Sequence, residues 1–351
     1  MHSLQLADPK AAEVFDPKAW ERIKNRAGDI KLEVNPDVPS TLNATLRPYQ
    51  VDGFKFLAYL AVNNFGGILA DDMGLGKTIQ SLTYLLWLFE EHKKTNAQKK
   101  PALVVCPKSV LDVWASEANK FAPSLVVKIL KNRDDINVDH IQNNIDMLVL
   151  NYAQLRVCGE ELNGVKWLTI ILDEGQQIKN PDSKAAKCAR ELDSQNRLVL
   201  TGTPIENRLL DMWSLMAFAM PGILGNRGDF QKLFDAKEDH LCRRRLPARV
   251  RPFLLRRTKM QVAKDLPERI EEDLLCELEG EQKTLYKAEL KRAQQMLLGI
   301  STASQLNKNR FNPLTSLLRL RQICCHPKLV KEDSKAESTK VEALMETLDP
   351  I

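Results

Sequence analysis

The chain has 351 residues, enough for two domains of ordinary size, and its 44% hydrophobic and 28% charged residues are the balance of a chain that buries a core in water. A formal charge of +5 admits a polyanionic partner without requiring one, so the placement of the basic residues matters more than their sum. Seven cysteines, an odd number with no Cys-x-x-Cys pair, argue against a disulfide framework or zinc site and read as reduced, intracellular core thiols; no run approaches the about 18 apolar residues of a membrane span, and Met1 to Lys10 lack a secretory pattern, so no membrane partner is expected.

Residues 1–40 form a lead-in with Pro36, Pro39 and an amphipathic stretch around Trp20 to Ile23, to which no function attaches. Over 41–222 short apolar runs alternate with longer segments of helical periodicity, the runs being 67–70, 102–106, 125–130, 147–150, 168–172 and 198–200. Their near-continuous apolar character predicts strands covered on both faces, hence an α/β fold with a mostly parallel sheet flanked by helices. In such sheets ligands sit at the carboxyl ends of the strands. Over 223–330 the sequence turns helix-rich and charge-dense, with Arg243, Arg244, Arg245, Arg249, Arg251, Arg256, Arg257 and Lys259 crowded together without an intervening acid. A short strand is expected over 271–278 and helices over 282–298 and 314–325; Cys324, Cys325 and His326 lack a second ligand pair and are expected to pack in the core. Within 331–351, residues 331–340 read as a flexible linker and 340–348 as the start of another helix.

The strongest chemical signal follows the first apolar run: Ala70-Asp71-Asp72-Met73-Gly74-Leu75-Gly76-Lys77-Thr78, leading into the helical periodicity of 79–89. Glycines let backbone N–H groups turn toward phosphate oxygens, the following helix adds its positive end, Lys77 can reach the outer phosphates and Thr78 can ligate magnesium. Asp71 stands where the strict phosphate-loop pattern has its first glycine, and the alternative is a glycine turn with a chance Lys-Thr. The second signal is the apolar run ending in Asp173 and Glu174. Asp173 is suited to holding magnesium and Glu174 to orienting or deprotonating the attacking water; taken alone, the pair reads equally well as an acidic turn. Gln50, within Leu46-Arg47-Pro48-Tyr49-Gln50, offers an amide donor and acceptor that match an adenine edge.

These blocks, with Pro107-Lys108-Ser109, Gln176 after the acidic pair, Thr201-Gly202-Thr203-Pro204, Phe253 to Lys259 and Leu320 to Pro327, occur in an order that resembles the SWI/SNF-type ATPases of helicase superfamily 2, from about Leu42 to the last residue. The resemblance implies a RecA-like ATP-binding lobe over 41–222, a helical protrusion and brace over 223–330, and the linker and start of a second RecA-like lobe over 331–351. It implies ATP and Mg2+ as cofactors, hydrolysis that drives movement along double-stranded DNA, and a DNA-bound protein as the target. Arg47, Gln50 and the loop from Asp72 through Met73, Gly74, Leu75 and Gly76 to Lys77 and Thr78 would bind the nucleotide, and Lys77, Asp173 and Glu174 would serve catalysis. Gln176, Thr201, Gly202 and Thr203 would couple the nucleotide site to the DNA groove. Lys108, Ser109, Asn151 and Tyr152 fall where the family grips DNA phosphate, Ser109 by capping a helix over 110–120; the alternative is ordinary strand-to-helix capping. Arg256 and Arg257 are expected in the brace, and Arg243 to Arg245 stay open between brace and DNA contact.

The family's commonest acidic box ends in histidine, whereas glutamine is a familiar variant among bacterial members. Gln176 can hydrogen-bond across to the threonines but not carry a proton. A bacterial source, with the chain on the cytoplasmic nucleoid, is therefore expected, or the nucleus in a eukaryote. No segment resembles the arginine-bearing motif of a second lobe, so the chain by itself is expected to bind ATP weakly and to turn it over poorly. An RNA helicase of the same superfamily and a nucleotide-dependent interaction module without turnover are the competing readings; Gln176 with Thr-Gly-Thr-Pro speaks against the first, and retention of Lys77 and Glu174 against the second.

Overall fold

A computed structural model describes residues 31, 33–202, 209–234, 246–247, 249–262, 272–298, 311–334 and 336–349. The stretch around Trp20, residue Thr203 and the triplet Arg243 to Arg245 lie outside the described residues. The chain divides into two compact units, Met1–Leu266 and Pro267–Ile351.

In the first unit β1 (Gly67–Leu69), β2 (Ala102–Cys106), β3 (Val127–Ile129), β4 (Met147–Asn151), β5 (Trp167–Leu172), β6 (Ser194–Leu200) and β7 (Leu254–Leu255) form one sheet in the order β3-β4-β2-β5-β6-β1-β7. Every pairing is parallel. The apolar runs become strands because both faces are covered: β1, β2 and β5 are buried along their whole length, whereas β3 at the edge is only half-buried. β7 was not expected, since two residues carry no periodicity.

The helices of this unit include α1 (Pro48–Val62), α2 (Lys77–Lys94), α3 (Leu111–Phe121), α4 (Val138–Asn144), α5 (Tyr152–Leu162), α6 (Lys184–Glu191), α7 (Leu209–Ala219), α8 (Arg227–Phe234) and the short α9 (Lys259–Val262). Connections β1 to β2 and β2 to β3 step one way across the sheet and the later ones step back. Right-handed crossovers therefore place α2 and α3 on one face and α4 to α7 on the other. Consistent with this, α1, α2 and α3 pack in succession, as do α5, α6 and α7. The register sets Leu69 beside Leu200, Val199 beside Leu172, and Leu172 beside Val105, so β1, β6, β5 and β2 end together and their following turns open onto one edge.

The structure moves one expected boundary. A separate module was expected from residue 223, but the first unit runs to Leu266, because β7 pairs with β1 and so returns the chain to the sheet. The second unit contains α10 (Gly280–Leu298), α11 (Phe311–Cys325) and α12 (Thr339–Leu348), with a 3-10 turn at Pro327–Leu329 between α11 and α12. The expected strand over 271–278 does not form across its described residues: Leu274 and Leu275 are exposed, so no buried face selects an extended ladder there. Nor is 331–340 an open linker, because Ser334 and Ser338 are buried, with the Ser338 hydroxyl donating to the Cys325 carbonyl at 2.7 Å and accepting from the Val341 amide to cap α12. Ser316, Leu320 and Ile323 define the buried face of α11, which turns Cys325 outward, against the expectation of a core thiol.

Cys106, by contrast, is fully buried at the end of β2, and burial pushes its thiol up to about 12. The thiolate is the reactive species. Native protein treated with iodoacetamide at pH 8 is expected to label Cys325 and spare Cys106, with peptide mass mapping as the readout; rapid labelling of Cys106 would contradict the described core.

Candidate active site

Between β1 and α2 the backbone must turn sharply, and Gly74 and Gly76 supply left-handed φ values of 84° and 77°. A Cβ on Gly76 would also lie 2.5 Å from Gln50 Nε2 and displace that side chain. No side chain caps α2, which leaves its first-turn amides and the positive end of its dipole available to an anion. Lys77 Nζ donates to the carbonyls of Asp71 at 2.7 Å and Asp72 at 3.3 Å, which holds the ammonium against the loop. Burial lowers its pKa, while the negative charges of Glu174 and Asp173 work in the opposite direction. Sites far apart in sequence thus share one electrostatic environment.

A buried ion pair fixes the shape of this loop. Asp71 is fully buried, and Arg257 engages it through Nε to Oδ1 at 3.0 Å and Nη2 to Oδ2 at 2.5 Å. The same guanidinium donates to Gln80 Oε1 at 3.0 Å and to the Tyr49 carbonyl. Gln80, also buried, donates to the loop carbonyls of Leu75 and Gly76 at 3.2 Å. Gly53 on α1 leaves the room, since a Cβ there would stand 1.7 Å from Gln80 Oε1. Main-chain bonds continue the β1–β7 pairing alongside the loop: the Ala70 amide donates to Leu255, the Asp72 amide to Arg257, and the Lys259 amide to Asp72 Oδ2. Arg257 therefore ties β7 to the loop within this unit, a local role different from the expected brace between two lobes, while Arg256 is exposed.

At the end of β5, Asp173 Oδ2 accepts from Trp114 Nε1 at 2.8 Å and Oδ1 from the Glu174 amide at 2.9 Å. Burial raises the Asp173 pKa, and the Trp114 bond opposes that rise. Glu174 adopts a left-handed φ of 49°, rare for a residue with a side chain and costing on the order of 1–3 kcal/mol. Its Oε2 accepts from Gln176 Nε2 at 2.8 Å, and Gln176 Oε1 accepts from the Thr201 hydroxyl at 3.0 Å. The Thr201 amide donates to the Leu69 carbonyl on β1. A continuous hydrogen-bonded path thus runs from the acidic pair through a neutral amide to the strand that carries the phosphate loop.

Other expected residues fall as follows. Gln50 reaches the loop, donating to the Leu75 carbonyl at 3.3 Å, and its Oε1 accepts from the Arg47 amide in a capping box that starts α1. An amide has a further hydrogen and lone pair for a ligand. Met73 is 69% exposed on the loop, Leu75 is buried, and Gly202 lies against Met73, where a Cβ would approach its Cγ to 3.1 Å. Lys108 and Ser109 are exposed in a 3-10 turn after β2. Ser109 does not cap α3: Pro107 opens the 3-10 turn, which places Ser109 inside it and leaves Val110 as the uncapped entry to α3. Asn151 accepts from the Ala153 and Gln154 amides and caps α5, and the buried Tyr152 donates to the Asp173 carbonyl at 2.7 Å. Asn151 thus takes the capping role of the alternative reading, while Tyr152 is bonded to the end of β5. Sequence reasoning missed Trp114 and Gln80; a helix tryptophan shortly after a strand that opens on the site edge, and a glutamine one turn after Lys77, were the available signals.

The donor set suits a hard cation beside a polyphosphate. Among the described residues no three His, Cys, Asp or Glu side chains cluster as a protein cage, while Thr78 and Asp173 supply isolated oxygens, the sparse set with which magnesium is shared between protein, phosphate and water.

Residues 49–329 match the family model of the SNF2-related domain. A putative ATP-dependent helicase/translocase, YwqA of Bacillus subtilis, is 37% identical over 342 residues, covering 90% of this chain and 35% of that protein. The TATA-binding protein-associated factor MOT1 of Saccharomyces cerevisiae is 34% identical over 368 residues, covering 96% of this chain and 20% of its own length. Among solved structures, the Sulfolobus solfataricus SWI2/SNF2 ATPase core in complex with dsDNA is similar with a TM-score of 0.60 and 36% identity, over 90% of this chain and 66% of that one. The chain spans about a third or less of the length of these two curated relatives.

The Arg257→Ala substitution leaves the Asp71 charge buried and unpaired, and is expected to destabilise the first unit by about 3–5 kcal/mol. Arg257→Lys is expected to recover little, because one ammonium cannot replace a fork that engages Asp71, Gln80 and Tyr49 together. Urea denaturation followed by tryptophan fluorescence checks both; an Arg257→Ala midpoint equal to that of the parent protein would contradict the bracing role.

Proposed function

This chain belongs to the SNF2-related domain family of SWI/SNF-type ATPases in helicase superfamily 2, and from that premise we propose that it is the ATP-binding lobe of a motor that moves along double-stranded DNA. One observation carries the reading: the loop bearing Lys77 and the acidic pair Asp173 and Glu174 share one edge of the sheet and one electrostatic environment.

In this reading the α2 amides and Lys77 hold the β- and γ-phosphates, with Gln50 beside the adenine. Thr78 and Asp173 would hold Mg2+, which when bound supplies positive charge to the phosphate oxygens. Glu174 orients the attacking water and accepts its proton. Gln176 passes positional information to Thr201 without exchanging a proton, because its amide is neutral in every state. Support for duplex DNA as the track is the complex formed by the similar Sulfolobus solfataricus core, together with the exposed Lys108 and Ser109 on the same sheet edge as the ATP site. An arginine from a second RecA-like lobe completes the charge stabilisation in the full motor. The target is a DNA-bound protein.

The test compares ATP turnover by the full-length protein with duplex DNA, single-stranded DNA and RNA. Duplex-specific stimulation is expected, and Lys77→Ala is expected to lower kcat by about 100- to 1,000-fold. Equal stimulation by RNA would favour the RNA helicase, and nucleotide binding without turnover under any condition would favour the interaction module. Lys108→Ala is expected to weaken duplex binding evenly across sequences and to reduce the salt slope of log K by about 0.9, read from titrations at several salt concentrations.

A further inference from the structure

Helix α3 touches both residues placed at the metal. Trp114, 1% exposed, donates from Nε1 to Asp173 Oδ2 at 2.8 Å. One turn later the Glu117 carboxylate faces the Thr78 hydroxyl. Positions three apart share a helix face, so a single rigid surface meets Asp173 from β5 and Thr78 from α2. Helix α3 also packs along α2, with Ala118 fully buried. Its other end begins at the 3-10 turn Lys108–Val110, where Lys108 and Ser109 are exposed.

The chemistry of each bond is specific. Indole N–H only donates, so it fixes the Asp173 carboxylate without competing for its lone pairs. With Oδ1 taken up by the Glu174 amide, each carboxylate oxygen accepts one hydrogen and keeps further acceptor capacity for a cation. A threonine hydroxyl that ligates through oxygen must direct its proton elsewhere, and a carboxylate at Glu117 receives it. Partners that orient metal ligands in this way set affinity strongly.

We propose that Trp114 and Glu117 are positioning residues for the Mg2+ ligands Asp173 and Thr78, and that α3, as one body, links the Lys108–Ser109 turn to that pair. The proposal rests on the ATP-site reading above and adds the route by which a phosphate bound at the turn alters cation affinity.

The test measures binding of a fluorescent ADP analogue to this chain as Mg2+ is titrated, with and without a 20-base-pair duplex. Trp114→Phe and Glu117→Ala are expected to raise the Mg2+ concentration at half-effect about 10- to 100-fold while Mg2+-free nucleotide affinity stays unchanged. Glu117→Gln, whose amide oxygen still accepts the Thr78 proton, restores the parent Mg2+ curve, a rescue that a packing role would not produce. Duplex is expected to shift the Mg2+ curve of the parent protein and not that of Trp114→Phe, although both bind the duplex equally. Superimposable Mg2+ curves for parent and variants, or a duplex shift that survives Trp114→Phe, would overturn the proposal. Parent protein that takes up no nucleotide at any Mg2+ concentration would instead bring down the ATP-site reading, and this inference with it.

Discussion

The carboxylate of Asp71 is sealed from water, and the guanidinium of Arg257 is what makes that burial tolerable. Most of the architecture around the site serves this pair. α1 gives up a side chain at Gly53 to admit it, α2 contributes Gln80 to share it, and β7 brings Arg257 to the sheet edge beside β1. The loop between β1 and α2 is thereby held from behind by a salt bridge and a short ladder, while the first-turn amides of α2 carry no side-chain cap. Rigidity behind and open donors in front are what a preorganised anion site requires.

The acidic pair is arranged by the opposite principle. Asp173 is surrounded by donors from other elements, Trp114 to its carboxylate and Tyr152 to its carbonyl, and Glu174 is held in a strained backbone state at the strand end. Burial raises the Asp173 pKa, so the fold holds that charge at some cost. The Gln176 bridge to Thr201 transmits position and not protons, which separates the geometric link between strands from any acid-base chemistry at Glu174.

Much of this was legible in the residues. Continuous apolar runs announced β1 to β5 and the 198–200 end of β6, whose first four residues are polar, and the glycine-lysine-threonine sequence announced the turn between β1 and α2. What stayed hidden depended on partners distant in sequence. Asp71 read as a departure from the phosphate-loop pattern because Arg257, which explains it, lies far along the chain on a strand too short to have a period. Ser109 and Asn151 looked alike as strand-to-helix turn residues, yet only Asn151 caps, since the choice between a 3-10 turn and direct helix entry is settled by the backbone at Pro107. Cys325 was misjudged because one residue of helical phase separates a buried face from an exposed one.

Because β7 and Arg257 come late, synthesis order acquires a structural meaning. A ribosome that has released β1 through β6 has already produced Lys77, Asp173 and Glu174, but the wall behind the loop does not yet exist, and Asp71 has no counter-charge. Contacts this distant in sequence form last and slowly. A nascent chain therefore completes the support of this loop only when translation has passed β7, and products that stop short of Leu254 would leave Asp71 without its counter-charge.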